Sequence, residues 1–376
     1  MGTTIFTVMS RMSAECGAVN LSQGFPDFQA EPALFDAVHR HMREGRNQYA
    51  PMAGMPELRQ AIVDKVAALY GTRFDVESEV TVTAGATQAI FTAVAAFVRP
   101  GDEVIVFEPV YDSYVPAIET VGGTAVFAQL KYPDYAPDWA QVAQLISPKT
   151  RMIIINSPHN PTGSLLSADD LDQLAALLRG TDIVVLSDEV YEHILFDGEQ
   201  HASLCGHPAL VERSVVVSSF GKTYHITGWK IGYVVGPTAL MAEFRKVHQF
   251  NVFTVHTPSQ LGLADYMQDA SRHLGLAAFY QEKRDFFREL MAATPFRLLP
   301  CRGTYFQLAS YAGLSDLPDR AFAEWMTREV GVAVIPVSVF NADGRDDKVV
   351  RFCFAKKEET LLMGAERLRK AFVKNC

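Results

Sequence analysis

The stretch VTVTAGATQAIFTAVAAFV, residues 80–98, decides the fold class of this chain. It is uncharged between Glu79 and Arg99 and has nearly the length of a membrane span. Its first part alternates β-branched residues, whereas an alanine-rich helical pattern follows Gly85. We therefore predict a strand, a glycine turn and a helix, and we reject a membrane helix.

Similar strand patterns recur further along the chain, at EVIVF (103–107), RMIIIN (151–156), DIVVLSDE (182–189) and SVVVSS (214–219). Helical segments separate them, as at 167–178, where Ser167 can cap a helix with an acidic first turn. Strands that alternate with helices predict an α/β fold with right-handed crossovers. We expect a mainly parallel central sheet that is covered by helices on both faces.

The pattern changes after about residue 270. Helices are predicted at about 279–293, at about 318–329 and from 357 onward, and strands at about 303–309, at 332–336 and at 349–354. These segments predict a smaller α+β unit. The first 25 or so residues offer no packing partner among themselves, so we expect them to pack against another part of the chain.

Composition excludes several classes of protein. The 34 Lys and Arg against 43 Asp and Glu give a net charge of -9, which argues against a broad surface for nucleic acid or anionic lipid. The absence of an apolar leader before Asn20 argues against secretion. The cysteines are Cys16, Cys205, Cys301, Cys353 and Cys376. Their spacing matches neither a disulfide framework nor a metal site, which favours a cytoplasmic location.

Polar motifs follow several of the predicted strands. SFGKT (219–223) ends like a phosphate-binding P-loop, but Val216 stands where that motif needs glycine, and no GxGxxG follows a strand. NSPHNPTG (156–163) and SDEVY (187–191) lie at carboxyl ends of strands, where open α/β sheets bind ligands. Taken singly, Asn160 also fits a turn, Asp188 an ion pair and Lys222 the solvated surface.

Six motifs occur in a fixed order: TAGAT (83–87), EPVYDSY (108–114), NSPHNPTG, SDEVY, SFGKTYHITGWKIG (219–232) and VRFCF (350–354). Together they resemble the class I aminotransferases of the fold-type I pyridoxal phosphate (PLP) family, over nearly the whole chain. VNLSQGFPDF (19–28) and NQYAPMAGMPELR (47–59) are similar to the branch that contains methionine aminotransferases and the kynurenine and glutamine transaminases. The resemblance implies a large PLP-binding domain at 30–265 and a small domain formed by 1–29 and 266–376.

The resemblance also implies roles around the cofactor. Lys222 would bind PLP covalently and move the proton of the substrate Cα, and Asp188 would pair with the pyridine nitrogen. Tyr191 and Asn160 would donate hydrogen bonds to the phenolic oxygen, and Tyr111 would stack on the ring. The implied phosphate ligands are Gly85, Ala86, Thr87, Ser219 and Lys230, with Tyr49 from a second subunit, so that a homodimer shares its active sites.

For the substrate, the resemblance implies that Arg351 clamps the α-carboxylate, aided by Gly24 and Asn160. The implied side-chain pocket consists of Phe25, Tyr49, Tyr111, His256 from the second subunit, and Phe340. A dicarboxylate-specific enzyme needs a second arginine, and NVFTVHTPSQ (251–260) has none. We therefore expect methionine, aromatic amino acids or glutamine as amino donors in preference to aspartate.

The implied activity is transfer of an amino group from an L-amino acid to a 2-oxo acid by a ping-pong mechanism. A cysteine-S-conjugate β-lyase would use the same residues, so the sequence leaves this alternative open. A catalytically idle PLP-fold sensor is a third reading. The chain shows no helix-turn-helix motif or basic patch to support it, and every matching catalytic position is filled.

Overall fold

The structure, a computed structural model, describes residues 3–373, so Met1 and Cys376 lie outside it. The strands are β1 (Val19–Asn20), β2 (Val80–Thr83), β3 (Glu103–Glu108), β4 (Thr124–Gln129), β5 (Thr150–Asn156), β6 (Val184–Asp188), β7 (Ser214–Ser219), β8 (Gly232–Val235), β9 (Arg297–Leu298), β10 (Phe306–Ser310), β11 (Val332–Ala333), β12 (Ile335–Pro336) and β13 (Val349–Cys353). The helices are α1 (Ile5–Cys16), α2 (Pro32–Arg43), α3 (Pro56–Tyr70), α4 (Gly85–Phe97), α5 (Tyr114–Thr120), α6 (Trp139–Leu145), α7 (Ala168–Leu177), α8 (Phe220–Thr223), α9 (Thr238–Asn251), α10 (Thr257–Tyr266), α11 (Ser271–Leu274), α12 (Leu276–Met291), α13 (Asp319–Trp325) and α14 (Glu358–Val373).

A seven-stranded sheet forms the centre of the molecule, in the order β2-β8-β7-β6-β5-β3-β4. All its neighbouring strands run parallel except at β8, which is antiparallel to both β2 and β7. The α/β class and the mainly parallel sheet are confirmed. The sequence patterns do not predict β4 or β8, because neither segment is a long aliphatic run.

Residues 80–98 form β2 and α4 with Gly85 between the two, as the sequence predicts. Ser167 caps α7 in a reciprocal capping box with Asp170, because each side chain accepts a hydrogen bond from the other residue's backbone N–H. Within residues 3–373, no helix combines the length and the apolar character that crossing a membrane requires.

Both faces of the central sheet pack into apolar cores. Along β3, Val104 and Val106 join a cluster that includes α4, α5 and α9, whereas Ile105 and Phe107 join one that includes α3, α6, α7 and α10. Successive side chains of a strand point to opposite faces, so the strand is apolar throughout.

The C-terminal part contains an antiparallel sheet in the order β12-β13-β10-β9. The predicted strand at 332–336 is divided: β11 pairs with β1 in parallel, while β12 joins β13. Met9, Met12 and Leu21 share an apolar cluster with C-terminal side chains, so the N-terminal residues do pack elsewhere. The domain boundaries given above remain a prediction.

Candidate active site

The carboxyl ends of the parallel strands meet at one edge of the central sheet. Asn156 at the end of β5 lies opposite Asp188 at the end of β6. On the other side, Gly232 of β8 pairs with both Ser219 of β7 and Thr83 of β2. A cavity of about 300 Å³ opens at this edge. The strand register therefore brings together segments that are far apart in the sequence.

Most of the residues singled out from the sequence line this cavity: Gly24, Gly85, Ala86, Thr87, Tyr111, Asn160, Asp188, Tyr191, Ser219, Lys222, Lys230 and Arg351. Four others are not among its lining residues in this chain: Phe25, Tyr49, His256 and Phe340.

The Lys222 amine lies inside the cavity, on the short helix α8 that follows β7. Its Nζ donates to the hydroxyl of Tyr305 at 2.9 Å and to the carbonyl of Gly24 at 3.2 Å. Burial lowers the pKa of Lys222 to about 8, and the positive charges of Arg351 and Lys230 act in the same direction. At pH 7 about a tenth of this amine is therefore neutral and nucleophilic, far more than for a lysine of ordinary pKa.

The Asp188 carboxyl is buried at the end of β6. Its Oδ2 accepts a hydrogen bond of 2.6 Å from the Tyr114 hydroxyl, and its Oδ1 accepts one from the amide of Val190. Burial raises the pKa of Asp188 to about 6 despite these two donors. No cationic group of residues 3–373 lies within 4.0 Å of it, so a bound cation would stabilise its ionised form.

Arg351 is 1% exposed and has no carboxylate partner within 4.0 Å in the described part of the chain. Its Nη1 donates to Asn160 Oδ1 at 2.7 Å, its Nη2 donates to the carbonyl of Ser22, and its Nε is buried without an acceptor. The guanidinium carbon lies 3.8 Å from the ring centroid of Phe306. A buried arginine without a counter-ion favours an anionic ligand.

The peptide bond between Asn160 and Pro161 is cis.

Two tyrosines form a wall of the cavity. Tyr191 is buried edge-to-face on Tyr305, with ring centroids 5.2 Å apart. Tyr111 is half-buried and packs at 5.6 Å against Tyr114. Burial raises the pKa of both Tyr191 and Tyr111, so both hydroxyls stay protonated and Tyr191 can donate a hydrogen bond.

Glycine allows a close approach of backbone and cation at the start of α4. Gly85 has φ +77°, and a Cβ there would lie 3.4 Å from Lys230 Nζ. A Cβ on Gly232 would lie 2.6 Å from the Ser218 carbonyl oxygen and 3.2 Å from the Ala86 amide nitrogen. The first amides of α4 have no partner within the helix. Amides, the helix dipole and an ammonium group thus converge, which suits a phosphate-sized anion.

The two residues expected from a second subunit share one exposed surface. Tyr49 is 84% exposed and packs edge-to-face on Phe253 at 5.5 Å. His256 is also exposed, and Thr257 beside it donates to the carbonyl of Gln48 at 2.6 Å. We call this region, residues 48–49 and 250–257, the Tyr49 surface.

The remaining two predicted pocket residues differ in their surroundings, and neither lines the cavity. Phe25 is 46% exposed and carries Lys356 Nζ at 5.0 Å from its ring centroid. Phe340 is buried, with the Arg351 guanidinium 5.9 Å from its ring centroid. In this chain, Phe340 is therefore placed to support Arg351.

The residues at the cavity that the sequence motifs left unassigned include Tyr114, Asn156, Tyr305 and Phe306. Tyr114 and Asn156 lie inside the motifs EPVYDSY and NSPHNPTG, so their positions in the sequence could have indicated them. Tyr305 and Phe306 lie in the segment GTYF (303–306), outside all of these motifs. Only the folded chain brings that segment to Lys222 and Arg351.

This fold and site define a class of protein. Residues 17–368 match the family described as "Aminotransferase class I and II", so the chain belongs to that family and is an aminotransferase. It is 50% identical to the methionine aminotransferase of Escherichia coli, over 98% of this chain and 96% of that protein. It is 34% identical to kynurenine–oxoglutarate transaminase 1 of Rattus norvegicus, over 97% and 95% of the two chains.

A solved structure with a similar fold is that of YbdL from Escherichia coli, described as having a methionine aminotransferase function. It matches with a TM-score of 0.96 and 50% identity, over 98% of this chain and 97% of that one. These findings confirm the resemblance, the fold class and the transaminase activity expected from the sequence.

Proposed function

We propose that this aminotransferase uses PLP to move the amino group of methionine, or of another large neutral L-amino acid, to a 2-oxo acid. The observation that carries the proposal is a pair of groups in one cavity. Lys222 has a pKa of about 8, and Arg351 is buried without a counter-ion among residues 3–373. The first suits covalent chemistry with an aldehyde, and the second suits a substrate carboxylate.

The chemistry of the cavity fits PLP at three points. Gly85 leaves room beside Lys230 at a helix N-terminus, which suits the phosphate. Asp188 is a buried carboxyl with no cation within 4.0 Å in the part of the chain that the structure describes, which suits a protonated ring nitrogen. Lys222 supplies the amine. Tyr111, Ala86, Thr87 and Ser219 would complete the set that holds the ring and phosphate.

When bound, PLP supplies an aldehyde that takes up the amino group and a ring that withdraws electrons from the substrate Cα–H bond. The Lys222 amine would remove the proton from the substrate Cα and would return a proton to the former aldehyde carbon of the cofactor. Asp188 would keep the ring nitrogen protonated by its negative charge. Tyr191 and Asn160 would orient the ring by donating hydrogen bonds to its phenolic oxygen.

Selection for a neutral side chain follows from the composition of the cavity. Arg351 and Gly24 would hold the α-carboxylate, so the substrate side chain faces the rest of the wall. Ile90, Val190 and Phe306 contribute apolar surface there, and Arg351 is the sole arginine among the lining residues described. A second carboxylate would be buried without a partner, which is costly. The methionine activity of the Escherichia coli relative supports this choice.

We also infer a homodimer in which the Tyr49 surface of one chain covers the cavity of the other. Thr87 and Lys230 are exposed in the single chain, so the phosphate end of the cavity is open to solvent. Tyr49 and His256 would reach this end from the second subunit.

The described cysteines are free thiols, which supports a cytoplasmic location.

A panel of amino donors tests the proposed function. The purified protein, reconstituted with PLP, is given each L-amino acid with an excess of a 2-oxo acid, and both products are quantified. We expect methionine, aromatic amino acids and glutamine to exceed aspartate. A β-thioether amino acid is supplied alone in parallel. Pyruvate and ammonia from that reaction, without transamination of methionine, would replace the proposal with a β-lyase.

A further inference from the structure

A buried polar network centred on Lys65 and Glu192 lies behind the cavity. Lys65 Nζ lies 2.6 Å from Glu192 Oε1, and the two side chains are 6% and 3% exposed. The ammonium also donates to Tyr233 Oη at 2.8 Å and lies 3.1 Å from His193 Nε2. Burial and the charge of Lys65 lower the pKa of His193, so this ring is neutral and can accept the third N–H of the ammonium.

The Glu192 carboxylate ties several elements together. It accepts hydrogen bonds of 2.6 Å from Tyr70 on α3 and from Ser218 on β7, and one of 3.1 Å from Tyr233 on β8. Burial opposes its ionisation, but Lys65 and these donors hold the pKa of Glu192 well below its ordinary value. One charged carboxylate therefore joins α3, β7 and β8 to the turn after β6.

The residues of this network are chain neighbours of cavity residues. Glu192 directly follows Tyr191, and Ser218 directly precedes Ser219. The amide of Glu192 donates to the carbonyl of Glu189 at 2.9 Å, which closes a turn over residues 189–192. Tyr191 lines the cavity from this turn, while Glu192 is held from behind.

A second carboxylate anchors the start of the same turn. Glu189, which follows Asp188, accepts a hydrogen bond of 2.8 Å from Ser187 and one of 3.1 Å from the amide of Leu204. Its other oxygen lies 2.8 Å from His201 Nε2. The backbone that carries Asp188 and Tyr191 is thus held at both ends by buried carboxylates.

We propose that Lys65 and Glu192 are positioning residues for the reaction: through the turn at 189–192, they hold Tyr191 and Asp188 in the geometry that the cofactor requires. This inference rests on the proposed PLP function. A buried ion pair adds little stability over an apolar pair of similar volume. Its distinctive effect is to fix directions, because each hydrogen bond sets an angle as well as a distance.

The test compares Lys65→Met and Glu192→Gln with a control variant on the same helix, Ile62→Ala, which removes buried apolar volume and no polar contact. PLP is titrated into each cofactor-free protein, and the pH midpoint of the absorbance of bound PLP is then measured. We expect the dissociation constant for PLP to rise about tenfold in both variants, on the scale seen when residues that hold the ligands of a bound group are replaced. We also expect the pH midpoint to shift, because under the proposed function Tyr191 would donate a hydrogen bond to the phenolic oxygen.

A lowered melting temperature with PLP affinity and pH midpoint like those of the control would overturn the inference and leave a structural role only. If the two variants do not fold, Tyr233→Phe removes one bond to each partner, and it must produce the same shifts at smaller size. An unchanged Tyr233→Phe protein would equally contradict the proposal. Failure of the unmodified protein to bind PLP would instead refute the proposed function.

Discussion

The Tyr114 hydroxyl donates a hydrogen bond of 2.6 Å to Asp188 Oδ2, and the two residues are only 3% and 4% exposed. Burial raises the pKa of the tyrosine well above its ordinary value, so the phenol stays protonated. A donor aimed at a carboxylate favours the ionised form, whereas burial favours the protonated form. Tyr114 therefore acts on the charge of Asp188 and, through it, on the ring nitrogen that Asp188 is proposed to hold.

Replacing Tyr114→Phe tests this relationship. A hydrogen bond to a charged group contributes about 1.5 to 3 kcal/mol, so we expect turnover of methionine to fall about 10-fold to 100-fold. The variant keeps the ring and its packing, so its melting temperature should change little. Steady-state kinetics beside thermal unfolding make the comparison. Full activity in Tyr114→Phe would show that the hydrogen bond has no catalytic consequence.

The stability of the cofactor-free protein should depend on the ionisation of Asp188. Its folded-state pKa of about 6 is above the unfolded value near 4, so ionisation of Asp188 lowers the free energy of unfolding. This destabilisation is absent at low pH and reaches its full size above pH 6. Asp188→Asn removes this cost, which is about 3 kcal/mol at most. We expect the variant to melt higher than the unmodified cofactor-free protein at pH 8 and equally at pH 4. A lower melting temperature at pH 8 would contradict the buried-charge interpretation.

Uptake of PLP should follow the neutral form of Lys222. With a pKa of about 8, the reactive fraction falls about tenfold for each pH unit below that value. Lys230→Met removes a nearby positive charge, so the midpoint of the rate against pH should move upward. Stopped-flow absorbance of cofactor-free protein mixed with PLP measures both profiles. Lys222→Ala should show no absorbance of lysine-bound PLP at any pH, and an unaltered signal would exclude Lys222.

Recognition of the α-carboxylate should depend on the planar fork of Arg351. Arg351→Lys keeps the charge but loses the paired donors, so we expect kcat/KM for methionine to fall about 100-fold, the cost of one or two charged hydrogen bonds. Arg302→Lys is a matched control, because Arg302 pairs with Glu199 at the surface. Equal losses in the two variants would indicate a general effect on the protein.

Mixing two inactive variants tests the composite site. If Tyr49 acts on the cavity of the second chain, a mixed dimer of Lys222→Ala and Tyr49→Ala carries both defects in one site and leaves the other site intact. Co-expression should then produce one intact site per mixed dimer, with activity well above that of either variant alone. No recovery in purified mixed dimers would show that each site carries one defect, so that Tyr49 acts on the cavity of its own chain. Full activity of Tyr49→Ala alone would show that Tyr49 is dispensable.

The central sheet could be predicted from the sequence because the strands of this sheet are buried on both faces and therefore consist of consecutive aliphatic residues. The strand β8 was not predicted because GYVV is short and follows a glycine-rich segment. Its antiparallel direction depends on its neighbours β2 and β7. The division of the predicted strand at 332–336 into β11 and β12 was missed for a similar reason. Its two halves pair with partners far away in the chain, β1 and β13.

Within the site, motifs located side chains that follow strand ends, such as Asn160, Asp188 and Lys222. They did not locate Tyr305, because its contact with Lys222 joins positions 83 residues apart. The pair of Lys65 and Glu192 is 127 residues apart. In the sequence, each of these charged residues resembles an ordinary surface residue, and only folding makes the pair buried and mutually dependent.

The most direct test of the account is a single half-reaction. PLP-loaded protein is mixed with methionine in the absence of any 2-oxo acid, and absorbance and products are followed. The account predicts that each active site converts its cofactor to the amine form and releases one equivalent of the methionine-derived 2-oxo acid, with no ammonia. Retention of the original absorbance, or continuous release of ammonia, would contradict it.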